Sequence, residues 1–547
     1  MSMRLVGLLC AAAAIGGLGQ ARAETLATDK ALGRSLGTVS FPVSCKAPAA
    51  KNMERGVAAM HHMTYSSARD LFEAAAKSDP NCAMAFWGMA MTYIHPLWSD
   101  SPSPEILEKG AELANRAGAV EGLSDREAGY IETVKAYFVE GGKGTEKQRL
   151  KLFEAAWSKV AKANPEDMEA KAFYALAHLA TAEPTDKSYA KQLEAGALAQ
   201  EVLVAVPDHP GGHHYTIHSF DYPPLAERAL PAAKNYGKIA PDVAHALHMT
   251  SHIYTRRGLW DDSIESNGQA AKAALKLSDS LGGVSVHYPH ALDYKGYAHL
   301  QKAQDPDARK IVQTLLALEP PFHSINQNAM AFALAAMPAR YALERQAWSD
   351  AASLQPRLPG SFPWAENQEH IVAMTHFARA LGLAHEKRFE EANAEIAALE
   401  AIQERVANYS AYWAKQVEIQ RLAAAAWTAY LSGDKKKGVA LMAEAAALEA
   451  TTEKAAVSPG EILPATELYG DMLLLEERYG DAAKAYQTAL KRSPRRFNSL
   501  YGAGQANALM GNPDKAKTYY SELVEMTAGA GEGRPRLAEA RKYLQTN

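Results

Sequence analysis

The 547-residue chain has only three cysteines and almost no imbalance of charge, with 58 Lys and Arg against 62 Asp and Glu. Three cysteines cannot build a disulfide scaffold or a cysteine-only metal centre. A net charge of −4 without a long basic run offers nucleic acid no electrostatic footprint and anionic lipid no attraction. Past the first two dozen residues no apolar run is long enough to span a bilayer. The nucleophile-elbow, phosphate-loop and dinucleotide signatures are missing as well. Strand-like alternation of useful length is absent, whereas alanine is abundant throughout, so the chain reads as all-α.

The N-terminus is a targeting signal by pattern. Arg4 precedes the apolar run Leu5–Gly19, and Ala21-Arg22-Ala23 follows as a small-x-small cleavage site. The run is shorter than the roughly 20 residues of a membrane span. Residues 1–23 are therefore expected to be a signal peptide cut after Ala23, giving a periplasmic or secreted protein with no membrane span after cleavage. Cys10 leaves with the signal, and Cys45 and Cys82 remain. They are expected either to form one disulfide in an oxidising compartment or to be two buried thiols. Residues 24–48 form an N-terminal extension.

The rest is repetitive. Ala68-x3-Phe72-x2-Ala75 ends at Pro80, and Phe86, Ala90 and Tyr93 open another copy of the same pattern. Near the C-terminus Gly470, Ala482-x3-Tyr486-x2-Ala489 and Pro494 repeat it, followed by Gly504, Ala516 and Tyr520. Pro207 and Pro241 stand one 34-residue period apart. These features resemble the tetratricopeptide repeat, a 34-residue helix-turn-helix unit. The resemblance implies an all-α tetratricopeptide-repeat α-solenoid in which each repeat stacks on its neighbours. It divides the chain into an N-terminal array with a His-rich concave site (49–300), divergent helical repeats (301–460) and C-terminal repeats (461–547). In this family the second, fifth and ninth residues of each repeat face the concave groove, a spacing that keeps them on one helical face.

Histidines follow this register. With Pro207 and Pro241 as repeat ends, His214 and His218 take the fifth and ninth positions of one repeat, and His248 and His252 take them in the next. His245 takes the second position. In a third repeat His290 falls at the second position and Asp293 at the fifth. His61 and His95 show the same period near the N-terminus. Neutral imidazole is the commonest metal ligand, and two His at i and i+4 stand one turn apart, able to share an ion. His61, His95, His214, His218, His245, His248, His252, His290 and Asp293 are thus the candidate metal ligands. Asp221 is placed to orient His218, and His209, before Pro210-Gly211-Gly212, reads as structural.

HPGGHHYTIHSFD, AHALHMTSHIYTRRGLWDDSIESN and AMAFWGMAMTYIHPLW also resemble a group of bacterial exported tetratricopeptide repeat proteins. That resemblance implies a shared site for His95, His214, His218, His245, His248 and His252. A nitrogen-rich donor set without thiolate suits copper foremost, then zinc or iron. Copper beside tyrosines supports oxidative chemistry, and zinc supports hydrolysis by an activated water. The leading reading is an exported metal-dependent enzyme with a small-molecule or peptide ligand in the groove. The alternatives are a scaffold for a peptide or protein partner, or a metal storage or delivery protein.

Overall fold

At two places an aromatic ring gripped between glycines ties successive helices together. In a computed structural model of the chain, Phe72 lies so close to Gly56 and Gly88 that a Cβ at either would come within 2.4 and 2.6 Å of its ring. Gly56 sits on the helix Ala47–His61, Phe72 on Tyr65–Ser78 and Gly88 on Ala83–Met91. The ring therefore locks its own hairpin to the first helix of the next repeat. Tyr486 repeats the device between Gly470 and Gly502, with hypothetical Cβ contacts of 2.8 and 2.2 Å. These are the aromatic positions of the repeat pattern, and the fold is an all-α tetratricopeptide-type solenoid.

The structure describes residues 32–33, 35–98, 101–183, 186–323, 327–531 and 533–546. The expected signal peptide, residues 1–23, and the first part of the extension 24–48 lie outside them. Among the described residues the extended pairing is a single parallel two-residue ladder, Val284–Ser285 with Phe322–His323. No described helix is long and apolar enough to cross a membrane.

The chain forms two compact units, 1–220 with 231–249, and 221–230 with 250–547. The division falls inside the segment 49–300, and the segments 301–460 and 461–547 share the second unit. In the first unit, successive helices pack in sequence order from Ala47–His61 to Pro210–Phe220. Local signals start several of them. Ser124 and Glu127 form a reciprocal capping box, as do Thr145 and Gln148, and the Asp167 carboxylate caps Met168–Ala180 by accepting from two backbone N–H groups. Cys45 and Cys82 form a disulfide, which settles the alternative that the sequence left open.

In the second unit the helices from Trp260–Leu281 to Pro535–Thr546 also pack in order, but the end returns to the beginning. Trp260, Tyr297 and Ala298 share one core with Phe497, Leu500, Tyr501 and Tyr520. The Trp260 indole N–H donates to the Arg495 carbonyl at 2.9 Å, and the Phe497 backbone N–H donates to Gln301 at 2.9 Å. Arg496, fully buried, meets both Glu344 and Glu467 at 2.9 Å. A buried cation is tolerable only when carboxylates surround it, and these come from helices far apart in sequence. This unit therefore departs from a solenoid whose repeats touch only their neighbours.

The disulfide closes a segment of 37 residues. Loop-closure entropy assigns such a link about 4 kcal/mol. Reduction, or Cys82→Ser, is expected to lower the unfolding free energy by about that amount. Urea titrations with and without reductant check it, and an unchanged midpoint contradicts it.

Candidate metal centre

The helix Pro210–Phe220 is buried on almost every side. Its entry depends on Gly211 and Gly212. A Cβ at Gly211 would lie 2.6 Å from His61 Nδ1, and one at Gly212 would lie 2.7 Å from Leu203. The two glycines thus let the helix seat itself against Ala47–His61 and Ala190–Ala205 before its first histidine.

His61 ends the helix Ala47–His61, and the last carbonyls of a helix have no partner within it. His214 supplies one: its Nδ1–H donates to the His61 carbonyl at 2.6 Å. The proton is thereby fixed on Nδ1, and Nε2 carries the lone pair. A backbone carbonyl behind one imidazole nitrogen is the usual way a protein turns the other toward a metal. His214 Nε2 faces His245 Nε2 at 3.2 Å. His218, one turn further along, has its ring 4.8 Å from that of His214. All three offer a nitrogen within 4.8 Å of the others. Two nitrogens bound tetrahedrally at about 2.05 Å stand about 3.3 Å apart, so the His214–His245 spacing matches one shared ion. The same spacing suits an N–H···N bond with His245 donating. His214 and His245 are buried, and Tyr236 and Tyr215 flank the His214 ring at 5.3 and 5.7 Å.

A second group, of two imidazoles and a carboxylate, has the spacing, and both imidazoles are hydrogen-bonded on both nitrogens. Glu169 accepts from His61 Nε2–H at 2.7 Å, from His209 Nε2–H at 3.1 Å and from the Ser40 backbone N–H at 3.2 Å. His209 Nδ1 accepts from the Gly212 N–H at 3.1 Å, and His61 Nδ1 accepts from the Tyr215 hydroxyl at 2.9 Å. Each imidazole spends its lone pair on Nδ1 and its proton on Glu169. A metal would have to displace those protons and break the Gly212 bond. His61 therefore sits in a closed structural network, apart from His214, His218 and His245. Burial lowers the His61 pKa, while the surrounding histidines hold the Glu169 carboxyl down at about 2 against its own desolvation.

The other candidates lie outside these two groups. His95 lies in the turn after Ala83–Met91, where its Nε2–H donates to the Thr92 carbonyl at 3.2 Å and its ring packs on Tyr65 and Trp98. His248 lies on Ala244–Arg256 with its ring 6.3 Å from that of His245. In the second unit, His252 donates from Nδ1 to Asp221 at 3.0 Å. Asp221 thus orients His252, and Arg256 at 2.8 Å and Lys454 at 3.1 Å hold the same carboxylate. A His290 nitrogen lies within 4.8 Å of one on His252, and desolvation pushes His290 down to about 3. Asp293 joins no histidine: it forms a buried ion pair with Arg340, whose second nitrogen donates to Gly460 and Ser458. Sequence reasoning missed Glu169, which stands on an ordinary apolar-faced helix with no local mark of its role.

No known family model matches the chain, and no curated protein matches it. Among solved structures it is similar to Cut9–Hcn1, the hetero-tetramer of APC/C, at 11% identity over 92% of this chain and 78% of the other, with a TM-score of 0.32. It is also similar to the human IFIT1 dimer with PPP-AAAA, at 12% identity over 93% and 94%, with a TM-score of 0.37. The fold is of the tetratricopeptide type. At these scores the likenesses say nothing about the site.

The closed networks make stability sensitive to acid. His62 donates from Nε2 to the Leu36 carbonyl at 3.1 Å and accepts from the Tyr236 hydroxyl at 2.9 Å, and desolvation pushes its pKa down to about 3. The unfolded chain takes up that proton as pH falls through about 6.5, and the folded chain does not. The stability of the neutral form is thus complete above about 6.5 and is lost progressively toward 3, by about 2 kcal/mol at pH 5. Glu169 adds a loss that begins near its unfolded value of 4.5 and continues toward 2. Urea unfolding at pH 7.5 and 5 is expected to show the fall, with a shallower slope in His62→Gln. An identical slope in the variant contradicts it.

Proposed function

We propose that the chain is a tetratricopeptide-type repeat protein that holds a transition-metal ion at His214, His218 and His245. The observation that carries this reading is the His214 tautomer: its Nδ1 proton is spent on the His61 carbonyl, and its Nε2 faces His245 at 3.2 Å. Three imidazoles as the protein's ligands would leave a further coordination position for water or substrate, the arrangement of a catalytic rather than a closed structural site. The donors suit copper first, then zinc or iron. Bound copper would supply one-electron chemistry and bound zinc a water activated for hydrolysis. The protein's part is to fix the imidazoles and to bury the site. The N-terminal pattern supports export to the periplasm or beyond, and the His-rich motifs support kinship with bacterial exported repeat proteins.

A scaffold for a protein partner is the second reading. The repeat architecture favours it, since stacked helical repeats present extended surfaces suited to binding. Metal analysis of untagged protein separates the two. The metal reading expects one tightly bound ion, whose affinity falls as pH drops below about 6.5, where imidazole protonates. His214→Ala and His245→Ala should weaken binding by more than about 100-fold, beyond the 10–100-fold typical of losing a partner behind a ligand. His385→Ala should leave it unchanged, because that ring stacks on Trp348 at 3.8 Å in the other unit. Full retention of tight metal in the His214 and His245 variants favours the scaffold.

A further inference from the structure

A loop of the second unit carries a cation and an anion to the edge of one small cavity. The loop, residues 451–464, joins the helices Lys435–Ala450 and Ala465–Leu475. It is tied down along its length. Tyr412 donates its hydroxyl to the Glu453 carbonyl at 2.8 Å, and the Gln416 amide donates to the Thr452 hydroxyl at 3.1 Å. The Tyr294 hydroxyl meets the Ala456 and Ser458 carbonyls at 2.9 Å, and Arg492 donates to the Thr452 carbonyl at 2.9 Å. A loop held at so many points keeps its side chains in place before any ligand arrives.

The cavity has a volume of about 40 Å³, room for about three water molecules. Phe332, Trp413 and Ile462 give it an apolar wall, and Lys454, Glu461 and Gln420 give it polar groups. The Lys454 side chain is 3% exposed, and its ammonium meets Asp221 at 3.1 Å. An ammonium has three donors. Among the described residues Asp221 is its only hydrogen-bond acceptor, and Arg256 shares that carboxylate at 2.8 Å. Two donors of a buried cation are thus uncommitted where it borders the cavity. Burial pushes the amine down to about 8, which leaves it protonated at neutral pH.

Glu461 supplies the opposite charge. Both Arg492 donors go to Oε1, at 2.9 and 2.6 Å, so Oε2 accepts from no side chain among the described residues. The Gln420 side-chain oxygen is buried without a partner. His370, which also borders the cavity, brings no charge, since desolvation pushes it down to about 4.

We propose that this cavity binds a small apolar α-amino acid as its zwitterion. The ligand carboxylate accepts from Lys454, its ammonium donates to Glu461 Oε2 and Gln420, and its side chain lies against Phe332, Trp413 and Ile462. A simple anion would leave the Glu461 and Gln420 oxygens unanswered, and a simple cation would leave the Lys454 donors so. Buried polar groups left unpaired are costly, and one molecule with both charges on neighbouring atoms answers all of them. The volume limits its side chain to a few carbons. The site uses none of the histidines proposed to hold the metal.

The test is calorimetric titration of metal-free full-length protein with L-alanine and L-valine. Its controls are 3-methylbutanoate and isobutylamine, which keep the valine skeleton and one charge each. Saturation-transfer NMR on the same samples detects binding that releases no heat. At least one of the amino acids should bind at a single site, and each analogue at least about tenfold more weakly than L-valine, as expected for loss of a hydrogen bond to a charged group. Lys454→Met keeps the apolar stem, and Gln420→Leu touches no ion pair. Each should weaken binding by about tenfold or more, with the thermal melt of Gln420→Leu unchanged. Absence of binding by both methods, an analogue that binds as tightly as L-valine, or full affinity in either variant overturns the proposal. Failure of the metal reading leaves this test untouched, because no ion takes part in it.

Discussion

The hydrogen bond from His214 Nδ1–H to the His61 carbonyl is the contact on which the site depends. It satisfies a carbonyl that the end of a helix would otherwise leave exposed to desolvation. It also decides which nitrogen of His214 can act as a ligand. The same residue, His61, uses its side chain to bind Tyr215 and Glu169. Backbone and side chain of one histidine therefore serve two networks. Spacing alone does not separate the two, since both bring nitrogen or oxygen atoms within 4.8 Å. The placement of protons does.

That distinction bears on how buried histidines are to be understood. A buried imidazole has one donor and one acceptor, and each needs a partner. His209 and His62 find theirs in Gly212, Glu169, Tyr236 and Leu36, which makes them parts of the framework. His214 finds a backbone partner for its donor and another imidazole for its acceptor.

Much of this was legible in the sequence. The 34-residue period placed His214, His218, His248 and His252 on helices at one-turn spacing, and the aromatic and glycine positions gave the packing of Phe72 and Tyr486. At His61 and His95 the period met different local structure. One ends a helix and the other lies in a turn, so equal spacing did not put them on equivalent faces. Asp293 was in register but was claimed by Arg340, a residue 47 positions away whose arrival no local pattern announces. The return of Phe497 and Tyr520 onto Trp260 was hidden for the same reason: it depends on contacts between distant segments. Glu169 and Tyr215 looked like ordinary helix residues, and only the meeting of Met168–Ala180 and Pro210–Phe220 with His61 gives them their partners.

X-ray absorption on zinc-loaded, untagged full-length protein tests the central claim most directly. The account predicts a stoichiometric ion with three imidazole nitrogens at about 2.0–2.1 Å and one further light ligand. An ion bound only by oxygen donors, or by a single imidazole, would contradict it.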